Sequence, residues 1–266
     1  MPGPPRNVVW IASYPKSGNT WVRFMACNIL HGAQQTASAL NRFVPDIHEL
    51  EAELSRSNLA GLAKTHFAFS PQMPLAERTA AAIYVVRSPD AVLTSNYHYA
   101  RRSQGGTADS DEAFDRYFDE FVRHRGDPRW ASLGMGTWEQ NVCSWLSSRH
   151  PFPILYIKYE DLSVDPLAAC RKLAGLLAPS CPDDRLCEAV RNSSFDRLRE
   201  IEESDIRNRR VGIFYKPYLQ GAIDSGVRFM RAGETGGGKS RLKPEQRVRL
   251  SSTFRSLLAA LGYPAA

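Results

Sequence analysis

Short apolar runs that alternate with helical patterns constrain the fold of this chain more than any other feature. Strands are predicted by β-branched, apolar runs over 7–12, 61–66, 81–86 and 153–158. Helices are predicted after three of them, over 21–30 with a stop near Gly32, from Asp90 to about Arg102, and from Pro166 to near Ala178. Buried strands separated by helices form a mostly parallel sheet with helices on both faces. We therefore predict an α/β fold with three layers, α/β/α.

The segment from Tyr14 to Trp21, YPKSGNTW, connects the first predicted strand to the first predicted helix. Ligands bind at the carboxyl edge of a parallel sheet, and a helix N-terminus offers free N–H groups to a phosphate. Lys16 adds a positive charge, Gly18 allows close approach of an anion, and Thr20 supplies a hydroxyl. The lysine precedes the glycine, so this is not a Walker A loop. A solvated lysine in an ordinary connection is the alternative, and the whole octet in this position favours a phosphate site.

A second anion-binding element follows the strand over 81–86. Arg87 lies at the carboxyl end of that strand, and Ser95 lies about two turns into the next helix. The arginine side chain is suited to forked recognition of phosphate. Alone, Arg87 would be interpreted as a surface residue at a turn. Two such strand ends side by side in one sheet instead favour a shared anionic ligand.

The net charge of +6 fits an anionic partner without identifying it. Two other classes of protein are therefore alternatives. A P-loop nucleotide phosphotransferase, such as a kinase, would need Mg²⁺ ligands and a Gly-Lys-Ser/Thr order, and the sequence shows neither. A non-enzymatic module that binds nucleic acid would need a stripe of basic residues with interleaved aromatic residues. The basic residues here are spread out, so no nucleic-acid partner is expected.

The five cysteines have neither the spacing of a disulfide framework nor that of a zinc site. The N-terminus lacks a charged region followed by a long apolar run, so no signal peptide is predicted. No apolar stretch is long enough to span a membrane. These observations predict a cytoplasmic protein with reduced thiols and no membrane insertion.

The YPKSGNTW segment resembles the 5′-phosphosulfate loop of the sulfotransferases that use 3′-phosphoadenosine-5′-phosphosulfate (PAPS), with Asn19 replacing the usual threonine. The resemblance implies a P-loop-like sulfotransferase fold, PAPS as donor and 3′,5′-ADP as product. It implies that Lys16 contacts the bridging oxygen and the 5′-phosphate. The residues that it places around the same group are Ser17, Gly18, Asn19, Thr20 and Trp21. Arg87 and Ser95 have the spacing of the family's 3′-phosphate element.

The sequence Lys64-Thr65-His66 resembles the family's KTH motif. The resemblance implies that His66 is the general base, and histidine titrates in the range that this role needs. Lys16 and Lys64 would stabilise the charge that develops during transfer, so no metal is expected. His98, one turn past Ser95, is the alternative base.

An adenine pocket is implied by two further matches. Tyr159 begins a YEDL segment, and Ser193 and Phe195 lie in a segment that resembles the family's TSF. An aromatic ring can stack on a base and a hydroxyl can bond its edge. Without the resemblance, ordinary core packing would be the expectation for both aromatic residues.

A glycine-rich stretch near the C-terminus resembles the family's RKGxxGxWK segment. The resemblance implies that Arg231, Ala232 and Gly233 belong to a flap that closes on the 3′-phosphate. Ala232 replaces the usual lysine and Gly238 the usual tryptophan, whereas Lys239 is retained. A flexible loop with no ligand is the alternative interpretation.

The matches cover most of the chain in the family's order, so we predict a single domain over residues 1–266. A disordered tail is predicted over 1–6 and a flexible flap over 220–243, followed by an amphipathic helix from Pro244 to about Leu261 with Val248 on its apolar side. The expected acceptor is a phenol or alcohol hydroxyl of a small molecule or natural product, because the chain resembles tailoring sulfotransferases of antibiotic biosynthesis. The oligomeric state is open, with a homodimer as one option.

Overall fold

The centre of the molecule is a four-stranded parallel sheet. The computed structural model describes residues 6–50, 59–104, 109–147, 149–230 and 241–264. The strands are β1 Val8–Ser13, β2 Gly61–Thr65, β3 Thr79–Val86 and β4 Ile154–Lys158, in the order β2-β1-β3-β4. The α/β fold with a parallel sheet is therefore confirmed, and all four predicted strands are present.

Both faces of the sheet are covered because apolar residues point to both sides of each central strand. On β1, Trp10 and Ile11 point to opposite faces, and neither is exposed to solvent. Tyr84 and Ile83 do the same on β3. Burial on both faces is typical of a parallel sheet between two helical layers.

The helices form two layers, one on each face of the sheet. The helices are α1 Asn19–His31, α2 Ala37–Phe43, α3 Pro89–Ser103, α4 Asp111–Arg123, α5 Pro128–Ser132, α6 Trp138–Leu146, α7 Tyr159–Val164, α8 Pro166–Leu177, α9 Asp183–Asn192, α10 Phe195–Arg207, α11 Gln220–Asp224, α12 Pro244–Thr253 and α13 Arg255–Ala260. The Ile11 face packs on α1, α2, α8, α9 and α10. The Trp10 face packs on α3, α4, α6, α12 and α13.

Two helix boundaries follow the local signals in the sequence. Helix α1 ends at Gly32, which has φ of 77° and so occupies the left-handed region that favours glycine. Helix α8 begins after Asp165, whose carboxylate accepts a hydrogen bond of 2.9 Å from the backbone N–H of Ala168. Pro166 follows at the first helical position, as this cap arrangement predicts.

The single helix predicted over the C-terminal segment is wrong. The segment forms two helices, α12 and α13, which meet at Phe254. Val248 is 61% exposed, whereas Phe254 is buried against the core. The break turns the two helices differently, so one apolar stripe does not continue along the whole segment.

Parts of the predicted tail and flap lie outside the described residues. These are residues 1–5 of the tail and residues 231–240 of the flap, which include Arg231, Ala232 and Gly233. The flap segment also contains the short helix α11, and its flexibility stays a prediction. Within the described part of the chain, no helix is long and apolar enough to cross a membrane.

The strand order determines where a ligand can bind. Because β2 and β3 flank β1 on opposite sides, the connections diverge at the carboxyl ends of β1 and β3 and leave a crevice there. The register pairs Ala12 with Thr65 and Ser13 with Val85, so the three strands end at the same level. The segments that follow these strands therefore meet at one edge of the sheet.

Candidate functional site

A cavity of about 1110 Å³ opens at this edge of the sheet. Most of the residues singled out from the sequence line it. They are Lys16, Gly18, Asn19, Thr20, Trp21, Lys64, His66, Arg87, Ser95, His98, Tyr159 and Phe195. Ser17 and Ser193 do not line the cavity, and Arg231, Ala232 and Gly233 lie outside the described residues. One cleft therefore brings together segments from six different parts of the fold.

The loop between β1 and α1 adopts a conformation that requires Gly18. This residue has φ of 97°, and a Cβ atom added to it would lie 2.3 Å from Cδ2 of Tyr159. Lys16 also has a positive φ, of 71°, which is uncommon for a residue with a side chain. Such strain concentrates at functional loops, where the surrounding structure maintains it.

The Lys16 ammonium group lies between two aromatic rings. Its Nζ is 4.5 Å from the ring centroid of Tyr99 and 4.2 Å from that of Phe229. Among the described residues, no carboxylate lies within ion-pair distance of it. Burial, and then the charges of Arg102 and Arg87, lower the pKa of Lys16 to about 7. The charge of Glu202 offsets these effects only in part, so an anion bound here would be strongly attracted to Lys16.

Arg87 is held against the same loop by two contacts. Its guanidinium carbon lies 4.0 Å from the ring centroid of Tyr159, and its Nη1 donates a 3.3 Å hydrogen bond to the carbonyl of Lys16. The Tyr159 ring in turn makes an edge contact with Trp21, with ring centroids 5.5 Å apart. Tyr159 therefore connects Arg87 to the β1–α1 loop.

Several buried donors at the site have no partner in the protein. Three of them lie around the β1–α1 loop, namely the Ser17 hydroxyl, the Trp21 indole N–H and the Arg87 Nε–H. Buried polar groups are normally hydrogen-bonded, so each of these requires an explanation. Each of the three groups can donate a hydrogen bond, and together they suit an anionic ligand with several oxygen atoms.

His66 follows the last residue of β2 and lies beside the last residue of β1. Its Nδ1 is 2.8 Å from the carbonyl oxygen of Ser13. Because a carbonyl can only accept, Nδ1 carries the proton and Nε2 keeps its lone pair. Burial, and then the Lys64 charge, lower the pKa of His66 well below its ordinary value. The ring is therefore neutral near pH 7, with one nitrogen able to accept a proton.

The backbone of His66 is fixed from both sides. Its N–H donates a 2.8 Å hydrogen bond to Nε2 of His48, and its carbonyl accepts one of 2.9 Å from Asn141. The Asn19 amide donates hydrogen bonds to the Ile11 carbonyl at 3.0 Å and to the Ser13 hydroxyl at 3.3 Å. Since Ser13 also binds His66, Asn19 connects the β1–α1 loop to the histidine.

Lys64 differs from Lys16 because it has a counter-ion. Its Nζ lies 2.6 Å from the carboxylate of Asp46, and both side chains are nearly buried. Burial alone would raise the pKa of Asp46, but the Lys64 charge and hydrogen bond together lower it below its usual value. The positive charge of Lys64 is therefore compensated inside the protein.

The two residues predicted to hold adenine from the TSF-like segment have different surroundings. Phe195 lines the cavity. The Ser193 hydroxyl is fully buried, donates to the Ala189 carbonyl at 2.7 Å and accepts from the Asn28 amide at 2.9 Å. The bond from Asn28 connects the end of α9 to α1, and the geometry does not support a direct contact of Ser193 with a ligand.

Four cavity residues that contribute to the electrostatics of the site were not predicted. They are Asp46, Tyr99, Arg102 and Phe229. Tyr99 could have been found, because it lies four residues after Ser95 and so shares its helix face. Arg102 lies on the same helix, seven residues after Ser95, so its helix face could have been inferred in the same way. Asp46 and Phe229 reach the site from distant segments and carry no local pattern. Within the described residues, no group of three or more His, Cys, Asp or Glu side chains could hold a metal ion.

Comparison with known proteins gives the family. The model of the sulfotransferase domain matches residues 6–262. The chain belongs to the sulfotransferase family. Relatives of this sulfotransferase include sulfotransferase 1A1 of Rattus norvegicus, which is 25% identical over 257 residues and covers 92% of this chain and 82% of its own length. Flavonol 3-sulfotransferase of Flaveria bidentis is 26% identical over 276 residues, covering 96% and 83%.

Solved structures with the same fold support the architecture of this sulfotransferase. Mouse sulfotransferase SULT7A1, complexed with PAP, has a TM-score of 0.69 at 20% identity and covers 96% of this chain and 85% of its own. Retinol dehydratase, in a complex with retinol and PAP, has a TM-score of 0.70 at 18% identity, with 97% and 82% covered. The predicted P-loop-like sulfotransferase fold is confirmed, and the family match favours sulfuryl transfer over the kinase and nucleic-acid alternatives.

Proposed function

We propose that this sulfotransferase takes the sulfuryl group from PAPS and transfers it to a hydroxyl of a small-molecule acceptor. The observation that carries the proposal is that Lys16, Arg87 and Ser95 line the same cavity as His66. The first three suit an anionic nucleotide, and the fourth suits removal of a proton. Both structural neighbours described above are complexes with PAP, which is 3′,5′-ADP, the product that such a transfer leaves.

The unpartnered donors of the cleft fit this nucleotide. Lys16, with Ser17, Gly18, Thr20 and Trp21 of the same loop, would hold the 5′-phosphosulfate at the N-terminus of α1. Arg87 and Ser95 would hold the 3′-phosphate. Tyr159 and Phe195 would contact the adenine, and Arg231, Ala232 and Gly233 stay a prediction for the flap.

His66 would act as general base. PAPS supplies a sulfur atom that carries a good leaving group, the 5′-phosphate of 3′,5′-ADP. Nε2 of His66 would accept the acceptor proton while the hydroxyl oxygen attacks in line. Lys16 would stabilise the charge on the departing phosphate oxygen. Lys64, whose charge is compensated by Asp46, would act mainly by positioning the end of β2 next to His66.

The acceptor is proposed to be a phenol or alcohol of modest size. Aromatic side chains in the cavity wall support an aromatic or apolar acceptor body, and they are Tyr99, Trp130 and Tyr218. One relative is named as a flavonol sulfotransferase, which agrees with a phenolic acceptor. A natural-product or antibiotic acceptor, a cytoplasmic location and a homodimer stay predictions.

Two measurements test the proposal. Thermal shift should show stabilisation by 3′,5′-ADP and none by ATP with Mg²⁺, because the cleft is expected to recognise a 3′-phosphate. Arg87→Ala should abolish most of the shift, whereas Arg171→Ala, at an exposed ion pair on α8, should not. A screen of hydroxyl compounds with ³⁵S-labelled PAPS should then identify the acceptor. Stabilisation by ATP with Mg²⁺ alone, without any by 3′,5′-ADP, would contradict the proposed donor.

A further inference from the structure

Arg102 is a buried cation of the cleft to which neither the sequence motifs nor the proposed function gives a role. It lies in the last turn of α3, seven residues after Ser95, so the two side chains share one face of the helix. It lines the cavity and is only 3% exposed. One Nη2–H donates a 2.7 Å hydrogen bond to the carbonyl of Phe214, and its buried Nε–H has no partner. The guanidinium group therefore has donors left for a ligand.

Arg102 and Lys16 both contact the same aromatic ring. The Arg102 guanidinium carbon lies 5.6 Å from the ring centroid of Phe229, and Lys16 Nζ lies 4.2 Å from the same centroid. The two residues come from different elements, the β1–α1 loop and the end of α3. The two groups are close enough that the Arg102 charge lowers the pKa of Lys16 more than any other charge does.

No acid of the described chain forms an ion pair with either cation. Glu202 is buried nearby, but its two carboxylate oxygens accept the backbone N–H groups of Phe229 at 2.5 Å and Met230 at 2.7 Å. These bonds fix Phe229 beside the two cations. The Glu202 charge acts to raise the pKa of both Lys16 and Arg102, but burial lowers each pKa by more, so Glu202 offsets the two charges only in part. Two adjacent buried charges of the same sign are unfavourable unless an anion compensates them.

The charge of the donor matches this pair. A phosphosulfate carries one negative charge on its phosphate and one on its sulfuryl group, and Lys16 can compensate only one of them. We propose that Arg102 contacts the sulfuryl group of the donor, beside Lys16 at the phosphate, an inference that rests on the proposed function. Its planar fork suits a group with several equivalent oxygen atoms.

Such a contact would be kept during the reaction. The bond between sulfur and the 5′-phosphate oxygen breaks, and a bond forms between sulfur and the acceptor oxygen. The acceptor proton passes to His66, and the sulfuryl oxygens retain their negative charge throughout. Arg102 would therefore hold the group that moves, whereas Lys16 would hold the group that leaves.

The experiment compares two ligands that differ only in the sulfuryl group. Binding of PAPS and of 3′,5′-ADP, in the absence of acceptor, is measured by titration calorimetry on the wild type and on Arg102→Gln. We expect Arg102→Gln to weaken the binding of PAPS by about tenfold or more and to leave the affinity for 3′,5′-ADP unchanged, because only PAPS loses a charge-assisted contact. Unchanged binding of 3′,5′-ADP also shows that the variant is folded.

Two further variants complete the test. Arg102→Lys should recover part of the PAPS affinity, since it restores a charge without the fork. Arg123→Gln is the matched control, because this exposed residue in the last turn of α4 pairs with Glu120 and does not line the cavity, and it should bind both ligands like the wild type. If Arg102→Gln weakens both ligands equally, Arg102 contacts the nucleotide and the inference is wrong.

Two other outcomes are also informative. If Arg102→Gln changes neither affinity but raises KM for an anionic acceptor, the residue binds the acceptor and the inference is overturned. If the wild type itself binds neither ligand, the proposed donor is wrong, and this result is distinct from a failure confined to Arg102.

Discussion

Two lysines at the same edge of the sheet have opposite electrostatic surroundings. Lys16, after β1, has aromatic rings on two sides and no ion-paired carboxylate in the described chain. Lys64, the penultimate residue of β2, pairs with Asp46 at 2.6 Å. Both line one cavity. Both residues are lysines at one edge of the sheet, Lys16 three residues past β1 and Lys64 within β2, and their electrostatic difference lies in the partner.

The comparison separates a lysine that is suited to binding a ligand from a lysine that positions other parts of the chain. A buried cation without a counter-ion is costly until an anion arrives, so Lys16 is suited to a ligand. A cation whose charge is compensated contributes little further attraction, but its ion pair joins two segments of chain. Asp46 and His48 come from the same short segment, and they bind Lys64 and His66 respectively. That segment therefore fixes the end of β2 at which the proposed base lies.

The largest effect is expected at Lys16. Lys16→Ala should lower kcat/KM by about 10³-fold, since it removes a preorganised cation from the departing phosphate. The measurement is the initial rate with labelled PAPS and the best acceptor. Lys172→Ala, an exposed lysine on α8, is the control and should behave like the wild type. Equal losses of kcat/KM in Lys16→Ala and Lys172→Ala would show that the net charge of the protein, not a local contact of Lys16, is responsible for the effect.

The second effect concerns the stability of the folded protein. Lys64→Met leaves the Asp46 carboxylate buried and unpaired, and should lower the free energy of unfolding by about 3 kcal/mol. Adding Asp46→Leu should recover much of the loss. Lys16→Met, by contrast, should not destabilise the protein free of ligand, because it breaks no ion pair. Urea denaturation of the wild type and the three variants measures these free energies of unfolding. A loss of stability in Lys16→Met as large as that in Lys64→Met would contradict the difference proposed between the two lysines.

A variant of His66, the residue that follows β2, separates an effect on catalysis from an effect on nucleotide binding. His66→Ala should lower kcat by about 10²-fold, at the low end of what a general base contributes, because the acceptor proton has no direct recipient. Affinity for 3′,5′-ADP should be unchanged in calorimetry. The matched control is His124→Ala, an exposed histidine on α4. Unchanged turnover in His66→Ala would direct attention to His98, which lines the same cavity.

The contacts that the sequence predicts well are those encoded locally. His66 and Arg87 each follow a strand directly and Lys16 lies three residues after β1, so the parallel sheet brings them to one edge once the strands are recognised. The conformation of Gly18 is encoded locally as well, because the turn itself requires a positive φ. Strand patterns and turn chemistry are properties of a few consecutive residues.

Contacts that depend on distant packing could not be predicted in this way. Asp46 is 18 residues from Lys64, and Arg102 and Phe229 meet near Lys16 only after three elements have packed together. The Ser193 hydroxyl is directed away from the cleft because Asn28, on another helix, is there to bind it. A motif identifies such a residue, but the neighbouring helix determines what its side chain does.

The smallest effect is a dependence of nucleotide affinity on pH. In the free protein the pKa of Lys16 is lowered to about 7 by burial and by two neighbouring cations, and a bound phosphate would raise it again. The charged lysine binds the anion, so affinity is greatest below pH 7 and falls as the pH rises. Between pH 7 and pH 8 the charged fraction of the free lysine falls about fivefold, and the affinity for 3′,5′-ADP should fall equally.

Other groups do not reproduce this profile. The phosphates of the ligand complete their second ionisation near pH 6, below the window. His66 has a pKa well below its ordinary value and is already neutral, and arginine side chains in general do not lose their proton in this range. Lys16→Arg, whose charge persists, should therefore flatten the profile between pH 7 and pH 8 whatever its absolute affinity. A wild-type affinity that is constant or rises across this window would mean that Lys16 is already charged before the nucleotide binds, and that its surroundings do not distinguish it from Lys64.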